Sequence, residues 1–358
     1  MHRRTVPSSS GGTRVEVVYP PERGRIGLRG SHAPLSWEHT HPADSVDGDR
    51  HYFHVQVPRG EILELKVVRD DGDWAAGHNY AVHAGDHVLI EPAFDRSTSR
   101  LEAKASIADL EVEVLLPPSY DEQTARRYPV VYALDGQALF STSQDPYGVW
   151  GIDGVLDALY DVEAVDELIL VGIHTAERRL ERLSPIADAK HGGGEADAFL
   201  AQIVDRLRPA IGERYRTLAD RDHTAILGSS MGGLFAFHAA WSRPDVFGKA
   251  ACLSSSFWWA TRWAVRRARG GPAPDPRPVF YLDSGAAPDP MEPDPNVRDG
   301  FHHTRAMFRA LTAQGFTPGV DLHRLVFPGQ PHEPKAWGSR VGLPLQILFP
   351  PERVIPER

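Results

Sequence analysis

Cysteine is almost missing from this chain: one residue, Cys252, in 358. That excludes an internal disulfide framework and any zinc site built from several thiolates. A basic excess is missing too, since 39 Lys and Arg stand against 48 Asp and Glu for a net charge of −9. A general nucleic-acid partner, which needs a cationic surface, is therefore disfavoured. No run approaches the roughly 18 apolar residues of a membrane span. The opening "MHRRTVPSSSGG" carries two arginines without an apolar stretch behind them, so it does not read as a secretory signal. These absences point to a soluble, cytoplasmic protein with no membrane partner. What is present is ordinary globular composition, 41% hydrophobic and 24% charged, with length enough for two domains.

The chain changes character near residue 105. Before it, "RVEVVY", "HYFHVQV", "ILELKVVRD" and "NYAVHAGDHVLIEPAF" are short β-rich runs broken by Asp-Gly and Ala-Gly-Asp turns. That spacing predicts a small antiparallel, immunoglobulin-like β-sandwich over residues 13–105. Residues 1–12 read as a disordered tail. After "DLEVEVLLPPSYD" apolar strands such as "YPVVYALDG", "ELILVGIH" and "HTAILGS" alternate with helical patterns. Residues 106–358 are thus expected to form an α/β domain with a mostly parallel sheet covered on both faces. "RGGPAPDPRP" and "APDPMEPDPN" are Pro-rich and belong in surface loops.

Gly228-Ser229-Ser230-Met231-Gly232 has an apolar strand before it and an apolar helix after it. In that context G-x-S-x-G is the sharp turn that lifts a serine hydroxyl above a sheet, with small residues where backbones must pass closely. The helix beginning about Met231 offers free N–H groups and a positive dipole end, so the Met231 N–H suits an oxyanion hole. A serine hydroxyl needs a base to act as a nucleophile. His332, after the strand and Pro-Gly turn of "LHRLVFPGQPHEPKAWGSR", stands where this chain order puts one.

Taken in order, "YPVVYALDGQ", "GSSMGG" and "HEPKAWGSR" resemble the esterase D family of α/β-hydrolases, which includes enterobactin esterases, feruloyl esterases and mycolyltransferases. The resemblance covers roughly residues 106–350. It implies an α/β-hydrolase fold, Ser230 as nucleophile, His332 as general base, and a second oxyanion donor in the Gln137 N–H. It also marks Trp150 and Trp337 for the substrate site, although core packing explains Trp150 equally well. The acid of the triad departs from the pattern. Counting from the strand end at Gly285 gives Asp289, and counting back from the next helix gives Asp299. Asp299 is favoured because a Pro-rich insertion can bulge while strand end and helix start stay fixed, with a plain helix N-cap as its competing role. Asp283 and Asp294 are weaker candidates.

The implied reaction is hydrolysis of a carboxylic ester through an acyl-enzyme, on a siderophore lactone or hydroxycinnamoyl ester, without a cofactor. Two alternatives stand beside it: an acyltransferase of the same fold, and an inactive carbohydrate- or ligand-binding protein. "LKVVRDDGDWAAGHNYAVHAGD" resembles a segment of starch-binding modules, with Trp74 as the stacking residue and Asn79 nearby; an inward-packed Trp74 in a plain sandwich is the preferred expectation. The N-terminal domain could instead wall the active site or make a homodimer contact. Arginines at "ERRLERL" and "TRWAVRRAR" would favour an anionic substrate if they lined the cleft, but a solvated helical face explains them better. Histidines 39, 41, 83, 87, 302 and 303 lack companion ligands at metal spacing, so no metal is expected.

Overall fold

The computed structural model describes residues 2–5, 13–95, 98–286 and 300–351. The N-terminal strands are β1 (His2–Thr5), β2 (Thr13–Val18), β3 (Ile26–Gly30), β4 (His41–Pro42), β5 (Ser45–Asp47), β6 (Arg50–Val55), β7 (Ile62–Arg69), β8 (Asp73–Trp74), β9 (Tyr80–His83) and β10 (His87–Glu91). One sheet runs β1-β10-β2-β6-β5; the other runs β4-β3-β7-β8, with β9 also on β7. Alternate residues of each strand point inward, and a single apolar core draws Val15, Val17 and Phe53 from the first sheet and Leu28, Leu65 and Val82 from the second. Two sheets closing one core make a sandwich.

Two details differ from the sequence reading. His2–Thr5, read as part of a tail, pairs antiparallel with β10; backbone hydrogen bonding to an open sheet edge asks little of side-chain pattern. Trp74 is not packed inward but 42% exposed, its ring 6.4 Å from that of Trp37 and under the Arg29 guanidinium at 5.1 Å. It stands on a two-residue edge strand, beyond the reach of the opposite sheet.

The second part is a nine-stranded sheet. Its strands are β11 (Arg100–Leu101), β12 (Ala105–Ile107), β13 (Leu110–Leu116), β14 (Val130–Leu134), β15 (Ile169–Ile173), β16 (Thr224–Ser229), β17 (Lys249–Leu253), β18 (Val279–Ala286) and β19 (Leu322–Gln330). The order is β11-β13-β15-β14-β16-β17-β18-β19, with β12 also on β13. From β15 to β19 neighbouring strands are parallel, while β13 runs antiparallel to β15. The helices are α1 (Ile152–Asp161), α2 (Arg179–Leu183), α3 (Ala196–Gln202), α4 (Arg208–Arg214), α5 (Met231–Ser242), α6 (Trp259–Gly270), α7 (Phe301–Ala313), α8 (Pro334–Gly338) and α9 (Gly342–Leu348).

Strand residues alternate between two cores. Tyr132, Ile226 and Cys252 face a layer that includes Phe235 of α5, Val265 of α6 and Met307 of α7. Val131, Leu227 and Tyr281 face Leu156 of α1 and Leu345 of α9. Helices on both faces of a mostly parallel sheet are the expected α/β-hydrolase architecture. The cover also explains the uninterrupted apolar strands, since neither face meets water.

The sandwich is held to the α/β part by buried polar contacts. The Glu122 carboxylate, 3% exposed, accepts from the Tyr19 hydroxyl at 2.9 Å and from the N–H groups of Phe94 and Asp95. Arg126 is equally enclosed and pairs with Glu167 and Asp166 at 2.8 and 3.3 Å, with Glu91 of β10 at 3.5 Å.

Candidate active site

Sites in sheets of this kind form outside the carboxyl ends of parallel strands, where connecting loops diverge. Here those ends deliver four segments to one place: Asp135–Ala138 after β14, Ser230 after β16, Ser254–Ser256 after β17 and His332 after β19.

Ser230 sits between strand and helix with φ 55° and ψ −118°, a conformation that non-glycine residues adopt only when the surroundings impose it. The flanking glycines are required by contact. A Cβ on Gly228 would lie 2.6 Å from the backbone carbon of Gly232, closer than real Cβ atoms come. The Ser230 N–H is fixed to the Leu253 carbonyl and the Ser230 carbonyl takes the N–H of Ser256, both at 2.9 Å. The hydroxyl thus projects from a turn whose backbone is pinned to the next strand.

His332 Nε2 lies 3.0 Å from Ser230 Oγ. A second hydroxyl, Ser256 Oγ, lies 3.3 Å from the same atom. The His332 ring meets the Trp337 ring edge to face at 5.0 Å, and Trp337 packs on Trp150 at 5.9 Å. Both tryptophans are buried and both border a cavity of about 420 Å³ that reaches Ser230 and His332. Trp150 therefore packs in the core and borders the cavity at once. Gly338 makes this approach possible, because a Cβ there would meet the Trp150 carbonyl oxygen at 2.1 Å.

Met231 opens α5, so its N–H is among those that an α-helix leaves without an intrahelical partner. Gln137 lies in the 3₁₀ turn Gly136–Ala138 and borders the same cavity. The preceding residue, Asp135, has φ 61° and ψ 45°. Its carboxylate is gripped by Arg179 of α2, Nε to Oδ1 at 2.8 Å and Nη2 to Oδ2 at 2.7 Å. Burial works against the Arg179 charge, but the Asp135 carboxylate more than offsets it and raises the guanidinium above its ordinary range.

The acid candidates divide. Asp289, Asp294 and Asp299 lie outside the described residues. Asp283 is fully buried and committed elsewhere: it receives Arg340 Nε and Nη2, each at 3.1 Å, the Ser254 N–H at 3.0 Å and the Tyr281 hydroxyl at 3.2 Å. Arg340 also donates to Gln330 Oε1 at 2.8 Å and to Ser254 Oγ at 2.6 Å. This clamp joins the segment after β17 to both sides of the His332 loop.

Of the two arginine clusters, Arg179 borders the cavity, against the solvated face expected for it. It does so as half of an ion pair rather than as a free charge. Arg178 pairs with Glu195 and Arg267 lies over Trp263, away from the cavity. Ser256, Asp145 and Tyr147, none of them expected from the sequence, also surround the site. Ser256 had a signal in the run "LSSSF" directly after a strand; Asp145 and Tyr147 sit on a loop with none. Among the described residues no group of three or more His, Cys, Asp or Glu could hold a metal, and no helix is long and apolar enough to cross a membrane.

The sequence profile of the Esterase family, described as putative esterase, matches residues 105–340. A siderophore triacetylfusarinine C esterase of Aspergillus fumigatus is 32% identical over 151 residues, 42% of this chain and 51% of that protein. Ferri-bacillibactin esterase BesA of Bacillus subtilis is 29% identical over 161 residues, 39% of this chain and 52% of that one. This chain thus spans about half the length of these curated relatives. The ferric enterobactin esterase of Salmonella typhimurium superposes with a TM-score of 0.53 at 16% identity, over 97% of this chain and 96% of its own. A ferulic acid esterase gives 0.54 at 19% identity, over 71% of this chain and 99% of its own. At such identities the likeness is one of fold.

Proposed function

Since the chain belongs to the putative esterase family, we propose that it is a serine hydrolase that cleaves carboxylic esters through an acyl-enzyme. The observation that carries this reading is Ser230 Oγ at 3.0 Å from His332 Nε2, on a strained turn at the mouth of a cavity. In this mechanism His332 takes the Ser230 proton as Oγ adds to the ester carbonyl, then gives it to the leaving alkoxide. A water, deprotonated by His332, cleaves the acyl-enzyme and restores the serine. The N–H groups of Met231 and Gln137 receive the oxyanion of each tetrahedral intermediate, where donors fixed in advance are worth most. Asp299, or Asp289, serves as the acid that orients His332. No cofactor enters any step.

The substrate class we propose is a siderophore ester or a hydroxycinnamoyl ester, after the printed activities of the relatives. The aromatic wall of Trp150 and Trp337 and the size of the cavity suit such a group. An acyltransferase differs only in the acceptor, and adding an alcohol to the assay separates the two by product. The test of the whole reading is p-nitrophenyl butyrate turnover by wild type and Ser230→Ala. Loss by a factor of about 10³ or more is expected; equal turnover in the two proteins would remove Ser230 from the mechanism.

A further inference from the structure

We infer that Arg179 is a positioning residue of this site: its ion pair with Asp135 sets the distance between the two oxyanion donors. The inference rests on the esterase reading above. The two N–H groups follow neighbouring paired strands, Gln137 after β14 and Met231 after β16, but the ladder between these strands runs only to Ala133 and Leu227 and stops short of both donors. Something must hold them at a common target, because a hole works only when its donors lie about 2.7–3.1 Å from the oxyanion.

Arg179 makes that connection. It comes from a third segment, after β15, and its fork closes on both oxygens of Asp135, two residues before Gln137. The same Nη2 reaches the Ser229 carbonyl at 3.5 Å, on the residue before the nucleophile. Thr175 completes the frame, with its hydroxyl on Asp135 Oδ1 and its N–H toward Gln137 Oε1 at 3.4 Å. The carboxylate also leans on the start of α5, 3.4 Å from the place a Cβ of Gly232 would occupy. Asp135 holds a left-handed backbone at which glycine would be the easier residue. A carboxylate kept there points to the pairing as the reason for its presence.

The pairing also argues against the obvious alternative, that Arg179 recognises an anionic substrate. Both Asp135 oxygens are engaged by the planar fork, a geometry that lysine cannot reproduce, and the charge facing the cavity is compensated.

The experiment compares wild type, Arg179→Gln, Arg179→Lys and Asp135→Asn with p-nitrophenyl butyrate, a neutral ester, and with butylboronic acid as inhibitor. Boron accepts Ser230 Oγ while the serine proton passes to His332, and the tetrahedral adduct places an oxygen in the oxyanion position. Inhibition therefore reads the hole, whereas KM reads ground-state binding. For Arg179→Gln we expect kcat to fall on the order of 10²-fold with KM within about threefold, and boronate inhibition to weaken in parallel. Arg179→Lys, and Asp135→Asn with its shape conserved, should show the same pattern at smaller size; they serve if Arg179→Gln does not fold. Unchanged kcat and inhibition, or a raised KM with kcat intact, would overturn the positioning role. Turnover that survives Ser230→Ala would instead overturn the esterase reading and this inference with it.

Discussion

Replacing Arg340 with methionine isolates the clamp under the His332 loop. Its side chain is 1% exposed and its partner Asp283 is fully enclosed, so the substitution leaves a carboxylate in the interior with two of its four hydrogen-bond donations, from the Ser254 N–H and Tyr281 hydroxyl. Breaking a buried pair from one side costs about 3–5 kcal/mol. For a chain of this size that is roughly 2 °C of melting temperature per kcal/mol, hence a fall of about 6–10 °C. The double variant Arg340→Met/Asp283→Leu removes the stranded charge, and stability should recover to within about 1 kcal/mol of wild type, because a buried ion pair and an apolar pair of similar volume are often near-equivalent. Activity should not recover with it. Arg340 donates to Gln330, two residues before His332, and to Ser254, two before Ser256, and neither contact returns in the double variant. Urea denaturation and p-nitrophenyl butyrate turnover, measured on the same preparations, separate the two effects. A single variant within 1 kcal/mol of wild type, or a double variant no more stable than the single, would refute the reasoning.

Gly228→Ala should abolish turnover even where the protein still folds, since the added Cβ meets the Gly232 backbone at 2.6 Å and must spread the turn that carries Ser230; fluorophosphonate labelling of Ser230 checks this. Glu122→Ala removes the acceptor of three donors between sandwich and α/β part, two of them buried. We expect a loss of about 2–4 kcal/mol and faster proteolysis between residues 95 and 105, seen on a gel against wild type. Acid should destabilise the fold through its histidines. Burial lowers His51, His238 and His303, the last from 6.5 to about 4, so below pH 6.5 the unfolded chain binds more protons than the folded one. Their contribution is complete above about pH 6.5 and declines as pH falls toward 4. Urea midpoints at pH 7.5, 6, 5 and 4.5 read the slope, which His238→Gln should flatten; an unchanged slope would mean that His238 is not held neutral.

Local pattern alone determined a good deal. Strand–turn–helix chemistry around Gly228–Gly232 is a short-range matter, because G-x-S-x-G between an apolar strand and helix has few other conformations, and the structure has Ser230 in the strained turn that the spacing implied. His332 was legible for a similar reason, as a residue just past a strand end, where this topology collects its loops. Continuous apolar strands announced a sheet covered on both faces, and alternating ones announced the sandwich. What the sequence could not carry was anything decided by which segments meet. Arg179 looked like one member of a helical charge cluster until the loop after β15 brought it onto Asp135, 44 residues earlier. Asp283 looked like a spare acid until Arg340, 57 residues later, closed on it. Trp74 looked like a core residue, because an aromatic between turn residues reads the same on an edge strand as on a central one. Spacing along the chain fixes periodicity and turn chemistry; the partner of a charge and the exposed side of an aromatic follow from packing between distant elements, and only the tertiary structure decided those.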